Sequence, residues 1–263
     1  MISAFLVFIA LQAQTPTIDI ETVRQMSYRD RDESILLRRI KGKTAVFYQS
    51  KMSCDVDGAP NAYHPDNDDL ALDLIASAGG KRKDDKPNGT LDVQPSRDVV
   101  AYLNDVPFIQ PDGEFKGFYV SKTSFEDKTR AEIDPTRYLD PRSIQYIVLP
   151  GGKVPEATLG DLAAVYDPIA KTVAFAVFGD VGPSSECGEA SIATLKRLGM
   201  EVTDGKSCPS ETRHDMVYVV FPGSFQKLLA AEAWPHPQST IDRLGKAEFE
   251  AWGGLPLLQQ IAQ

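Results

Sequence analysis

The segment from Thr172 to Gly199, TVAFAVFGDVGPSSECGEASIATLKRLG, constrains the fold of this chain more than any other. Its β-branched and aromatic run, Val173 to Phe178, predicts a strand that brings Asp180 to its end. A turn rich in glycine, proline and serine follows, and Glu189 then opens a stretch with helical character. Because the turn can fold back, these two carboxylates, nine positions apart, can face one cleft. Hydrolysis of a glycosidic bond requires at least two such groups: an acid that protonates the leaving oxygen and a base that activates water.

Strands predominate in the rest of the chain, and the absence of βαβ alternation argues against Rossmann and TIM-barrel folds. Strands are predicted at 44–49, 99–104, 117–121, 146–149, 162–166 and 216–221. Helices are predicted at 33–40, 70–78, 225–233 and 240–252, and a hairpin turn at 168–171. The order of strand, Asp-x-Gly-Pro turn, loop, acid and short helix also resembles half of a double-psi β-barrel. We therefore predict a mainly β fold with peripheral helices (α+β) and a six-stranded double-psi β-barrel-like core.

Six segments of the chain together resemble the fungal-type chitosanases, glycoside hydrolase family 75. Besides the segment above, the matching strings are CDVDGAPNAYHPDN (54–67), GFYVSKTSF (117–125), YIVLPGG (146–152), LGDLAAVYDP (159–168) and MVYVVFPGS (216–224). They occur in the family's order and span about two thirds of the chain. The resemblance implies an endo-acting chitosanase that inverts the anomeric centre, with Asp180 and Glu189 as its catalytic pair.

The roles within this pair stay open at the level of sequence. A helix N-terminus would lower the pKa of Glu189 and make it the base, whereas sugar hydrolases of the barrel fold place their acid at this position. Burial raises the pKa of a carboxyl group, as a general acid requires. We expect Glu189 as the acid and Asp180 as the base. Without the resemblance, the simpler interpretation is favoured, in which Asp180 starts a turn and Glu189 is an acid at a helix N-terminus. Glu186 in the string SSEC is an additional carboxylate between them.

A second acidic cluster, Asp55 and Asp57, lies in the string CDVDG. It resembles the start of a calcium loop, but the later ligand positions, including the closing Glu, are missing. We expect a turn whose carboxylates bind glucosamine ammonium groups through charge-assisted hydrogen bonds; a purely structural turn is the alternative.

Four more residues in the matching strings are candidate substrate contacts. Asn61 and Tyr63 are suited to hydrogen-bonding sugar hydroxyls, and Tyr63 also to stacking on a pyranose face, although a half-buried core tyrosine fits equally. His64 is expected to orient its neighbours near the substrate. Asp161 matches the family without an assigned role.

The acidic balance of the chain, a formal charge of -9, argues against a nucleic-acid partner and suits a polycationic polysaccharide such as chitosan. We expect a monomer that binds neither nucleic acid nor membranes. Two alternatives remain open: an enzyme that hydrolyses or lytically cleaves peptidoglycan glycan, and a non-catalytic glycan-binding module on the same fold.

The N-terminal run ISAFLVFIAL is too short to span a bilayer and predicts a signal peptide over residues 1–14, hence a secreted or periplasmic protein; a buried strand or helix is the alternative. A charged peripheral segment is predicted at 15–43, and a single catalytic domain at 44–263. The chain has three cysteines, of which Cys187 and Cys208 are candidates for a bridge; three unpaired cysteines is the alternative. Because Cys54, Cys187 and Cys208 match no zinc spacing and the histidines are scattered, we predict neither metal nor cofactor.

Overall fold

The computed structural model describes residues 18–28, 31–208, 213–231 and 233–262. The strands are β1 (Ile20–Tyr28), β2 (Arg31–Ile40), β3 (Val46–Ser50), β4 (Ser53–Asp55), β5 (Lys81–Arg82), β6 (Leu91–Val93), β7 (Tyr102–Leu103), β8 (Val106–Pro107), β9 (Tyr146–Pro150), β10 (Leu162–Asp167), β11 (Thr172–Gly182), β12 (Glu189–Ser191) and β13 (Met216–Val220). The α-helices are α1 (Ile192–Arg197), α2 (Phe225–Ala231), α3 (Gln238–Trp252) and α4 (Gly254–Ile261). The predicted signal peptide lies outside the described residues.

One mixed sheet of nine strands carries the fold, in the order β1-β2-β3-β13-β10-β11-β9-β12-β4. Most neighbours are antiparallel, but β9 runs parallel to β11, and β4 runs parallel to β12. The predicted mainly β architecture with peripheral helices is thus confirmed. The pairings leave two sheet edges, β1 and β4, and no closed barrel is found among the residues that the structure describes.

Both faces of the central strands are buried. Along β11, Ala174, Ala176 and Phe178 pack into one hydrophobic cluster and the intervening residues into the other, as the two-residue period of a strand requires. Helices α2, α3 and α4 cover the second cluster, whereas the loops between β4 and β9 cover the first together with α1. Burial on both faces explains why these strands are nearly continuous apolar runs.

The predicted strands at 44–49, 146–149, 162–166, 173–178 and 216–221 are confirmed, as are the hairpin turn at 168–171 and helices α2 and α3. The strands predicted at 99–104 and 117–121 are reduced to β7 and isolated bridges, Val100 to Ser121 and Ile109 to Tyr119. No helix in the described part of the chain has both the length and the apolar character needed to cross a bilayer.

Two predicted helices are wrong. Residues 33–40 belong to β2, which pairs with β1 and β3, so the N-terminal segment extends the main sheet. In this range, Leu70 ends a 3₁₀ helix, Asp68–Leu70, and residues 71–78 form bends and turns. There the amides of Leu72 and Asp73 donate to carbonyls of residues 61 and 62, which leaves no helical hydrogen-bond ladder.

Candidate active site

A cavity of about 420 Å³ opens where β4, β9, β11 and β12 lie side by side. It is lined by five residues predicted from the sequence: Asp55, Asp57, Tyr63, Asp180 and Glu189. Two further carboxylates, Asp73 and Glu186, also line it, and its described lining contains neither lysine nor arginine. The cavity therefore concentrates negative charge and favours a cationic occupant.

The sheet register fixes the relation between Asp180 and Glu189. In β9, Val148 pairs with Asp180 of β11 on one side and with Glu189 of β12 on the other. Residues directly opposite each other in a sheet project from the same face, so both carboxylates face the cavity across Val148. Their backbones stand two strand spacings apart, about 10 Å.

Glu189 is the first residue of β12, and the prediction that it opens a helix is wrong. Helix α1 begins three residues later, where the Ser191 side chain caps it by accepting from the amide of Thr194. The preceding Gly188 has φ +84°, and a Cβ there would lie 2.2 Å from the Lys51 carbonyl oxygen. Only glycine fits this close approach, which directs the chain back along β4 and β9.

Asp180 is 8% exposed, and its Oδ1 accepts three hydrogen bonds. The donors are the backbone amide of Ser124 at 2.8 Å, the Ser124 hydroxyl at 2.5 Å and the amide of Val181 at 2.8 Å. Burial raises the pKa of Asp180, while these hydrogen bonds oppose the rise because they favour the ionised form.

Asp55 and Asp57 bring their carboxylates close to that of Asp180, with one oxygen of each of the three within 4.8 Å of the others. Burial and then repulsion from Asp57 and Asp180 raise the pKa of Asp55 well above its usual range. The pKa of Asp57 is raised in the same way, by burial and by Asp180, against hydrogen bonds from the hydroxyls of Tyr63 (2.9 Å) and Ser121 (3.0 Å).

Each negative charge in this cluster disfavours ionisation of the neighbouring carboxyl groups, so the three titrations are linked. Asp180 accepts three hydrogen bonds and the side chain of Asp57 two. The side chain of Asp55 has two partners, the amide of Asp57 and the hydroxyl of Tyr146. Asp180 thus has the most hydrogen bonds to its ionised form, and its pKa is raised less than the pKa values of Asp55 and Asp57.

The same three carboxylates are also the group in the described residues that could hold a metal ion. Carboxylate oxygens suit Mg²⁺ and Ca²⁺, which need six or more oxygen ligands. Three carboxylates with hydroxyl donors between them equally suit shared protons or a bound ammonium group. The sequence-based expectation of no metal stays a prediction, for which a chelator is the direct test.

Three predicted contact residues are not among those lining the cavity. The side-chain oxygen of Asn61 accepts from Arg142 at 3.4 Å. His64 packs edge-on against Phe118, and its Nδ1 accepts from two following backbone amides, which organises the adjacent turn. Asp161 is fully buried, where its carboxylate accepts from the amides of residues 158 and 225. Its position ties the start of β10 to α2.

Tyr63 lines the cavity but is 2% exposed, and its hydroxyl donates to Asp57. Of the two alternatives for Tyr63, stacking on a sugar or packing in the core, this burial favours packing, because a ring that stacks on a sugar needs an open face. The contact makes Tyr63 a residue that positions Asp57.

Three residues with roles at the site were missed. Asp73 fell in the wrongly predicted helix. Ser124 lies in the string GFYVSKTSF, where nothing marks a serine as the partner of Asp180. Tyr146 begins the strand YIVLP, and its hydroxyl donates to the backbone carbonyl of Asp57 at 2.8 Å. Ser124 and Tyr146 contact residues that are distant in sequence, and the pattern of neighbouring residues does not reveal such contacts.

The structure contains one disulfide and one free cysteine, as the bridged alternative requires, but the bridge joins a different pair of cysteines. Cys54 forms a disulfide with Cys208, and Cys187 is free and buried. Cys54 pairs with Ala190 of β12 and precedes Asp55, so this bridge ties the acidic edge strand to the loop after α1. Pairing across 154 positions depends on the tertiary fold.

A scan against models of known protein families and a search of curated proteins both found no significant match to this chain.

Proposed function

We propose that this chain is an exported, inverting endo-chitosanase that hydrolyses β-1,4-glucosaminidic bonds. The observation that carries the proposal is the placement of Asp180 and Glu189 on either side of Val148, facing one acidic cavity. The resemblance of six chain segments to glycoside hydrolase family 75 supports the same assignment.

The geometry suits inversion. An inverting pair holds its carboxyl groups about 6.5–9.5 Å apart, leaving room for water between the base and the sugar. Backbones two strand spacings apart, about 10 Å, allow that separation. Glu189, protonated at the start, gives its proton to the leaving glycosidic oxygen, while Asp180 removes a proton from water as its oxygen attacks C1 from the opposite side. The reaction ends with Asp180 protonated and Glu189 ionised, and the two exchange this proton with solvent.

The hydrogen bonds to Asp180 support its role as base, since they favour the ionised form that accepts a proton from water. Glu189 takes the acid role by its place across the cavity. Glu186 also lines the cavity, on the turn between the two, and serves as the matched comparison for Glu189.

The acidic lining supports a cationic substrate. Six carboxylates line the cavity without a lysine or arginine among the described residues: Asp55, Asp57, Asp73, Asp180, Glu186 and Glu189. Chitosan carries an ammonium group on each deacetylated sugar, and each can form charge-assisted hydrogen bonds to such carboxylates. An acetylated wall glycan offers no such charge, so we favour chitosan over peptidoglycan.

The decisive assay is release of reducing ends from low-acetylation chitosan, with chitin and peptidoglycan in parallel. We expect wild-type release from chitosan alone, and a loss of at least about a hundredfold in Glu189→Gln and Asp180→Asn, because each removes a proton-transfer step. The matched variant Glu186→Gln, which changes charge in the same cavity, should keep most of the activity.

Other outcomes would overturn parts of the proposal. Release from peptidoglycan alone would assign the enzyme to wall glycan, and binding of chitosan without release would leave a glycan-binding module. Loss of activity in Glu186→Gln with retention in Glu189→Gln would make Glu186 the acid.

Export belongs to this proposal as well. The Cys54–Cys208 disulfide supports it, because disulfides persist in oxidising compartments. Expression of the full chain should release a protein that lacks residues 1–14, as measured by intact mass; a cytoplasmic protein of full mass would contradict export.

The double-psi barrel is the finer part of the proposed fold. Its support is the parallel pairs β9–β11 and β4–β12 beside the Asp-x-Gly-Pro turn. An experimental structure tests it: strands that close around the cavity are expected, and an open sheet would contradict it.

A further inference from the structure

A second cavity, of about 520 Å³, adjoins the candidate active site. Its described lining consists of Asp98, Lys122, Thr123, Ser124, Glu126, Glu132, Arg137 and Val181. Val181 lines both cavities, and Ser124 holds Asp180 of the first through its amide and hydroxyl. The two spaces therefore meet at Val181, next to the proposed base, so a polymer cleaved in one would continue into the other.

Most of the charge in this second cavity is already neutralised. Lys122 Nζ lies 2.9 Å from the carboxylate of Glu132, and Arg137 Nε lies 2.7 Å from that of Glu126. Asp98 is exposed, and its carboxylate has no hydrogen bond or ion pair within the described ranges of the chain. The other charged side chains of the lining form ion pairs with one another, so the negative charge of Asp98 is the one available to a ligand.

The residue common to the two cavity linings, Val181, is apolar. Val181 is 44% exposed and directly follows Asp180 in the chain. A pyranose ring has an apolar face of C–H groups, which gains free energy when it covers exposed apolar surface. An exposed valine beside a carboxylate without an ion-pair partner thus matches a sugar that carries one ammonium group.

We propose that this second cavity is a glucosamine subsite, in which Asp98 binds the ammonium group and Val181 contacts the ring of the sugar adjoining the cleaved bond. The inference rests on the proposed chitosanase function and adds to it a residue that determines specificity. Because Asp98 stands outside the catalytic cavity, it acts on substrate binding and leaves proton transfer unchanged.

The test compares Asp98→Asn with wild type on low-acetylation chitosan at low salt. We expect KM to rise about threefold with kcat unchanged, the size typical of a solvent-exposed ion pair. Asp98→Glu should restore KM. Glu201→Gln is the matched control, since Glu201 is an exposed carboxylate that lines none of the cavities described here, and its KM should stay at the wild-type value. At about 1 M salt, where screening acts over about 3 Å, the effect of Asp98→Asn should disappear.

The possible failures are distinguishable. Wild-type protein that does not cleave chitosan overturns the proposed function, and this inference with it. Active wild type with an unchanged KM in Asp98→Asn overturns the subsite alone. An equal rise in Asp98→Asn and Glu201→Gln would show an effect of net charge, which also overturns the subsite.

Discussion

Ser124 is the residue on which the proposed chemistry of Asp180 depends most directly. Its amide and hydroxyl provide two of the three hydrogen bonds to Oδ1, and the hydroxyl also accepts from the amide of Val181 at 3.2 Å. The carboxylates at 180 and 189 could be selected from sequence because strand, turn and resemblance coincide there. Ser124 could not be selected from the sequence, since it lies 56 positions from Asp180 in the chain.

Replacement of Ser124 by alanine should lower kcat about tenfold, the loss expected for one hydrogen bond to a charged group. The acidic limb of the pH–rate profile should move to higher pH, because losing a donor to the ionised form raises the pKa of Asp180. Ser124→Thr keeps the hydroxyl and should restore both. An unmoved acidic limb in Ser124→Ala would show that the hydroxyl does not tune the base.

The acidic strand β4 pairs with a neighbour on one side only. It is a three-residue edge strand that borders β12, and the Cys54–Cys208 disulfide fixes it to the loop after α1. The central strands could be predicted because their apolar runs are buried on both faces. The β4 region and residues 70–78 could not, because contacts between loops determine their conformation.

Removal of this disulfide in Cys54→Ala/Cys208→Ala should lower the free energy of unfolding by about 2–4 kcal/mol, since the unfolded chain loses a long closed loop. Denaturant titrations with and without dithiothreitol provide the internal control. The reductant should destabilise the wild type and leave the double variant unchanged. A wild type that is equally stable in both conditions would contradict a stabilising bridge.

At the scale of the whole molecule, folding gathers carboxylates that repel one another. Asp55, Asp57 and Asp180 have raised pKa values in the folded state, whereas in the unfolded chain each titrates near about 3.9. Such groups bind more protons when folded, so they favour folding at mildly acidic pH. This opposition between charge and stability is expected of a binding site for cations.

Stability should therefore rise as the pH falls from 7 towards about 4, and this gain is lost as the pH rises through the raised pKa values. Below about pH 4 the stability should fall again. Hydrogen bonds from Thr129 and Thr136 lower the pKa values of Asp127 and Asp134 in the folded state, so protonation of these two groups favours unfolding. Thermal unfolding across this range, with Asp55→Asn as comparison, measures the effect.

The variant Asp55→Asn should be more stable than wild type at pH 7. Its stability should increase less steeply than that of the wild type as the pH falls. Addition of EDTA should leave the wild-type curve unchanged if protons hold the cluster together. A fall in stability on chelation would instead assign the three carboxylates to a metal ion, against the sequence-based expectation.

The most direct test of the central claim is proton NMR of the anomeric signals during the first minutes of chitosan hydrolysis. A base and an acid on either side of Val148, with water between base and sugar, predict that the α-anomer of the new reducing end appears first and then relaxes towards equilibrium. Initial appearance of the β-anomer, or no new reducing ends, would contradict the assignment of Asp180 and Glu189 as an inverting pair.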